Sequence, residues 1–388
     1  MSVERFARRE LLSIGGAPPT RAAIGPIPGL INLGAGDPDF DQPKFIAEAV
    51  YKAMLEGHTH YAFGGDPEFK AAIAEYYKKF NVSVDPNTQV IVTSGGSQGI
   101  FQAFAAILNP GDEIIILDPA YQGYNQPAAY FGAKIVRAKM RKDEKGLFRP
   151  DVESIERAVT ERTKALVICN PENPAGCVYT KEEVEGIAEL AVEKDFIVID
   201  DEIYTEFIWG GRKYYPMITQ PGMLERTIIV SSFSKTFAWT GCRAGYIIAG
   251  PELAGLISRV PVGICSVPVA FQKAGVEALK RGWGFVEEMR RAYQERIEYC
   301  VKRMNEIPGV RCPYPEGAFY LFPDVSGIGV PPAKLCDGLF REEKLRIVPG
   351  ITYGTNAEGH VRLALVAPLK TLEDAMDRFE RYVKKITK

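Results

Sequence analysis

The chain has 388 residues, enough for two domains of ordinary size. Hydrophobic residues at 46% and charged residues at 25% are the balance of a soluble globular protein. A formal net charge of −2 gives no basic surplus that would call for nucleic acid or an acidic membrane as a partner.

The first forty residues are rich in Gly and Pro, show little periodicity and read as an arm that packs on something else. From 89 to 250, short β-branched runs alternate with helical stretches. Strands are expected at 89–93, 113–117, 134–137, 165–169, 196–200, 228–232 and 246–249. Most are continuous apolar runs, which implies a sheet covered on both faces by helices. Helices are expected at 98–108, 152–159 and 181–194, the last capped by Thr180 with Glu182 and Glu183 in its first turn. This βαβ alternation predicts a mostly parallel sheet. After Pro268 longer helices follow at 269–280 and about 285–306. A smaller α/β section from Gly309 carries apolar runs at 318–322, 345–348 and 361–364. There is no internal repeat and no low-complexity linker.

The seven cysteines are scattered without a CxxC pair, and several, such as Cys169 and Cys265, sit in apolar runs. They read as reduced core residues rather than a disulfide framework or a metal site. No run of about 18 apolar residues spans a membrane. The charged N-terminus lacks the apolar core of a signal peptide, so a cytoplasmic protein is expected.

The chemistry concentrates at strand ends. Lys235, in Ser231-Ser-Phe-Ser-Lys-Thr-Phe-Ala-Trp-Thr-Gly-Cys-Arg-Ala-Gly245, follows the expected strand at 228–232, where open α/β sheets bind ligands. Ser231, Ser232, Ser234 and Thr236 crowd it, and Arg243 lies eight residues on. A lysine able to lose its proton, hydroxyls and an arginine suit an aldehyde that also carries a phosphate. Thr93-Ser-Gly-Gly-Ser-Gln-Gly99 joins a strand to a helix, and its exposed N–H groups suit a phosphate too. Two Asn-Pro pairs in Asn170-Pro-Glu-Asn-Pro-Ala-Gly176 make a rigid turn at the sheet's edge. Arg362, flanked by apolar residues in Gly359-His-Val-Arg362, is costly to bury unless it meets an anion, and its fork fits a carboxylate.

With these motifs in order from about Asn32 to the C-terminus, the sequence resembles the fold-type I pyridoxal-phosphate (PLP) enzymes, in their aspartate-aminotransferase-like class I/II branch. The resemblance implies a large domain at 46–285 with a seven-stranded, mostly parallel sheet. A smaller α/β domain would combine the arm, 1–45, with 286–388. It implies that Lys235 holds PLP as a Schiff base and moves the substrate's proton. Gly96, Ser97, Gln98, Ser232 and Arg243 would bind the phosphate. Asp201 would pair with the pyridine nitrogen, and Tyr204 and Asn173 would bond the phenolic oxygen. Tyr121 would stack on the ring, and Tyr61 would reach the phosphate of a neighbouring subunit, making a homodimer with shared sites. Arg362 and the loop ending at Gly36 would take the substrate's α-carboxylate. Asp200 or Asp201 could each lie at the strand's end, and the family's Asp-x-x-Tyr spacing selects Asp201. Asp200, Glu202 and Glu206 read as an acidic loop capping a helix. Two departures stand out: Ala175 replaces the usual Thr or Ser, and Ser97 replaces a lysine with which some bacterial aspartate aminotransferases bind the side-chain carboxylate.

The expected function is therefore transfer of an amino group from an L-amino acid to a 2-oxo acid. A lyase, decarboxylase or oxidase on the same scaffold is the alternative. A PLP-binding regulator ranks last, because the part before Asn32 is expected to be too short for a DNA-binding module.

Overall fold

The computed structural model of the chain describes residues 3–13, 27–262 and 267–387. Cys265 and the arm's 14–26 lie outside them.

Each expected strand forms: β1 (Val90–Ser94), β2 (Glu113–Asp118), β3 (Lys134–Lys139), β4 (Thr163–Cys169), β5 (Ile197–Asp201), β6 (Thr227–Ser232) and β7 (Ala244–Ala249). They make one seven-stranded sheet in the order β1-β7-β6-β5-β4-β2-β3. β2, β3, β4, β5 and β6 pair in parallel, while β7 runs antiparallel to both β6 and β1. β2, β6 and β7 are buried along their whole length, which is why their runs are apolar without alternation.

Helices lie about the sheet: α1 (Lys44–Leu55), α2 (Pro67–Tyr77), α3 (Gly95–Ile107), α4 (Val152–Ala158), α5 (Lys181–Glu193), the short α6 (Phe233–Thr236) and α7 (Val269–Arg281). Away from the sheet, α8 (Trp283–Asn305) packs against α9 (Leu369–Ile386). Thr180 and Glu183 form a reciprocal capping box on α5. α3 starts at Gly95 rather than Gln98, because Gly95 adopts φ +75° and turns the chain straight from β1 into the helix. The glycine motif is thus the helix's first turn.

The run 345–348 splits into two short strands. Leu345–Arg346 pairs in parallel with Ile31–Asn32, and Val348–Pro349 pairs with Val361–Ala364. This is where the arm packs. It is held further along by Arg296 of α8, which grips both oxygens of Asp39 at 2.7 and 2.9 Å.

Candidate active site

A cavity of about 1420 Å³ opens at the carboxyl edge of the parallel strands. Lys235, Asp201, Arg243, Asn173, Tyr121 and Arg362 line it. Gly36, Gly96, Ser97 and Tyr204 lie on the same wall. Most arrive from loops after strands: Tyr121 after β2, Asn173 after β4, Lys235 after β6. Arg243 comes by another route. Because β7 is antiparallel, its amino end lies beside the carboxyl ends of its neighbours, with Ala244 opposite Ser94 and Gly245 opposite Ser232. The residue just before β7 therefore reaches the same rim.

The pleat decides between the two aspartates. Neighbouring strand residues face opposite sides, so Asp201 faces the cavity and Asp200 the packed interior. Tyr124 donates to Oδ2 of Asp201 at 2.7 Å. Burial still pushes the Asp201 carboxyl up to about 6, against the pull of Tyr124, the Ile203 N–H and Lys235. The acidic-loop reading of its neighbours fails. Asp200 and Glu202 are buried at 1% exposure and Glu206 is nearly so, and no α-helix begins there; only Asp200 reaches a helix start, accepting from the Met217 N–H of the distant 3-10 turn Met217–Thr219. Glu202 accepts from Tyr77 at 2.8 Å, and Glu206 from Tyr76 and Lys79. Burial raises Asp200 well above the usual carboxylate range and Glu202 to about 7.

Lys235 Nζ donates to the Gly36 carbonyl at 2.6 Å. Burial pushes it down to about 8, with Arg362 and Arg243 acting the same way against Asp37 and Asp201. On one side of it, Asn173 Nδ2 donates to the Tyr204 hydroxyl at 3.4 Å, and Asn173 Oδ1 accepts from Arg362 at 3.3 Å. Tyr204 also shares a 2.7 Å hydroxyl bond with Tyr320. Arg362 donates to the Gly34 carbonyl at 2.6 Å and lies between the rings of Tyr320 and Tyr353, yet its buried Nε has no partner. An unpaired donor on a buried guanidinium is costly unless an anion completes it.

On the other side, the amino end of α3 has no side-chain cap. Arg243 stands beside it, donating to the carbonyls of Thr240 at 2.8 Å and Ser94 at 3.1 Å. A Cβ on Gly95 would overlap that guanidinium, and one on Gly245 would lie 2.6 Å from the Gly95 carbonyl carbon. Three sequence-selected residues are not on the cavity wall. Gln98 turns its side-chain carbonyl to the Ser94 N–H. Ser232 is buried and accepts from the Ser234 N–H at 3.2 Å. Tyr61 stands on the surface, 68% exposed, beside Phe63. Sequence reasoning missed Tyr124 and Tyr320. The first follows Tyr121 by one helical turn; the second carries no local signal.

The donor set fits PLP. Uncapped helix N–H groups and Arg243 suit a phosphate, Lys235 suits an aldehyde, and Asp201 suits a protonated ring nitrogen.

Comparison with known proteins agrees. Residues 28–379 match the family model of aminotransferase class I and II. The aromatic-amino-acid aminotransferase 2 of Thermococcus litoralis is 39% identical over 92% of each chain. The aspartate aminotransferase of Pyrococcus horikoshii is 39% identical over 91% of this chain and 90% of its own. The solved structure of an aromatic aminotransferase from Pyrococcus horikoshii OT3 superposes with a TM-score of 0.88 at 38% identity, covering 92% of this chain and 97% of that one. Fold and site thus define a PLP-dependent transferase of amino groups. The chain belongs to the class I and II aminotransferases.

Proposed function

We propose that this aminotransferase works through Lys235, which would hold the cofactor's aldehyde end and carry the substrate's proton during turnover. The observation that carries this is the convergence of Asp201, at the end of β5, with Lys235 and Arg243, from the connection between β6 and β7, on one cavity, beside an Arg362 whose Nε lacks a partner.

When bound, PLP supplies an aldehyde that condenses with amines and a ring that draws electrons from the carbon bearing the substrate's amine. Arg362 takes the substrate's α-carboxylate, using Nε and the positions now spent on Gly34 and Asn173. A lysine held near 8 has a sizeable neutral fraction at physiological pH, so Nζ of Lys235 can accept the α-proton and return it. Asp201 would set a negative charge against the pyridine nitrogen. That cationic partner would lower the aspartate's pKa again, keeping it ionised. Tyr204 and Asn173 would donate to the phenolic oxygen, while Gly96, Ser97 and Arg243 would hold the phosphate end, with Gln98 and Ser232 bracing that wall from behind. Tyr121, on the cavity wall, would cover the ring.

The names of the relatives point to acidic or aromatic L-amino acids as donors, with a 2-oxo acid as acceptor. We extend the reading to a two-fold dimer in which Tyr61 completes the partner's site. Its support is a cluster of exposed apolar side chains on and after α1: Tyr51, Met54, Leu55, Tyr61 and Phe63. A large domain at 46–285 and a small one from 1–45 with 286–388 complete the proposal, supported by the pairing of Ile31–Asn32 with Leu345–Arg346. No helix among the described residues is long and apolar enough to cross a membrane. The described cysteines are free thiols, mostly buried, in keeping with a cytoplasmic enzyme.

Borohydride reduction of the holoenzyme followed by peptide mass analysis tests the assignment. A phosphopyridoxyl group on the peptide containing Lys235 is expected; its appearance on another lysine would refute it.

A further inference from the structure

We propose that Arg346, with Asn32 beside it, binds the side-chain carboxylate of an acidic amino acid and of the matching 2-oxo acid. The inference rests on the aminotransferase reading above and names the substrate class.

Alternation along two short strands sets the direction of both side chains. Leu345 and Ile347 are buried, while Arg346 and Val348 face the cavity. Ile31 and Leu33 are likewise buried, while Asn32 and Gly34 face it. Arg346 pairs with Asn32, and Val348 pairs with Arg362. Arg346 is therefore the diagonal neighbour of Arg362 on one face, a separation of about 7–8 Å between backbones. Two guanidinium groups so placed can hold the two carboxylates of one small molecule.

The cavity's cations differ in what they already hold. Lys235, Arg243 and Arg362 each donate to backbone carbonyls. Among the described residues, the Arg346 guanidinium makes no ion pair and no hydrogen bond. Asn32 Oδ1 accepts from the Gly34 N–H at 3.0 Å, which leaves its Nδ2 as a donor next to Arg346. With the α-carboxylate on Arg362 and the α-carbon at Lys235, the substrate's side chain runs along the wall of Val348, Arg346 and Asn32. A planar guanidinium and an amide there match a carboxylate. This supplies on the arm's side the cation that Ser97 does not.

The test compares holoenzyme of the wild type, Arg346→Ala and Arg346→Lys on glutamate against glutamine, aspartate against asparagine, and O-phosphoserine. The ratio of kcat/KM for each acid over its amide should fall roughly ten- to a hundred-fold in Arg346→Ala, mainly through KM. Arg346→Lys should recover part of it. An unchanged ratio in Arg346→Ala would overturn the inference while leaving the aminotransferase reading in place. A loss confined to O-phosphoserine would overturn the carboxylate assignment. Wild-type enzyme that transfers the amino group of aromatic donors but of none of these would overturn the inference alone; wild-type enzyme that transfers none from these or from aromatic amino acids would overturn the underlying reading, and this one with it.

Discussion

Tyr124 donates its hydroxyl proton to Oδ2 of Asp201 across 2.7 Å, one of the forces that keep a buried carboxylate ionised. Tyr124→Phe removes a hydrogen bond to the charged form, so the Asp201 pKa rises. The acid limb of kcat/KM against pH should move up by about one pH unit, the equivalent of one charge-assisted hydrogen bond. An acid limb that stays in place would show that Asp201 is not the group it reports.

The buried carboxyls behind the site set a pH dependence of stability. Asp200 is raised well above its ordinary value and Glu202 to about 7, both by burial first. Between the ordinary carboxylate range and about 7, the unfolded chain loses protons that the folded chain keeps. Stability of the apoenzyme therefore falls as pH rises through that window. Glu202→Gln can still accept from Tyr77 and cannot ionise. It should be more stable than wild type at pH 8 by on the order of 3 kcal/mol, with little difference at pH 4. Urea unfolding at the two pH values measures this; equal gains at both would refute the titration.

These carboxyls also mark what the sequence hides. All seven sheet strands were legible, most of them because strands covered on both faces are written as nearly unbroken apolar runs, and only their ends moved, by one or two residues. The motifs at strand ends were legible for the same reason: a strand's end locates the next loop. Burial of Asp200, Glu202 and Glu206 was not legible. Their partners Tyr76 and Tyr77 lie on α2, over a hundred residues earlier, and local sequence shows charge without showing what covers it. The Tyr320 contact with Tyr204 was hidden likewise, across 116 residues.

Gly36 is fixed by Tyr320, whose hydroxyl occupies the space a Cβ would need. Gly36→Ala should displace Tyr320, disturb its bond to Tyr204 and lower kcat/KM. Adding Tyr320→Phe removes the clashing oxygen, so the double variant should be less impaired than Gly36→Ala alone. Strictly additive losses in steady-state assays would contradict this coupling.

If Tyr61 completes a partner's site, subunits carrying Tyr61→Phe and Lys235→Ala should complement when mixed. Half the sites of a mixed dimer have neither defect and half have both. The mixture should bind PLP, by titration, more tightly than either variant alone. Full activity from a monomer in sedimentation would remove the basis for sharing.

Lys235→Ala tests the central claim most directly. The variant should keep the wild-type circular dichroism spectrum and bind PLP without a covalent link. Supplied with an α-deuterated amino acid and a 2-oxo acid, wild type should wash the deuterium into solvent and transfer the amine. The variant should do neither above about a thousandth of the wild-type rate if one Nζ carries the proton in both directions. Deuterium washout at the wild-type rate by Lys235→Ala would contradict the account.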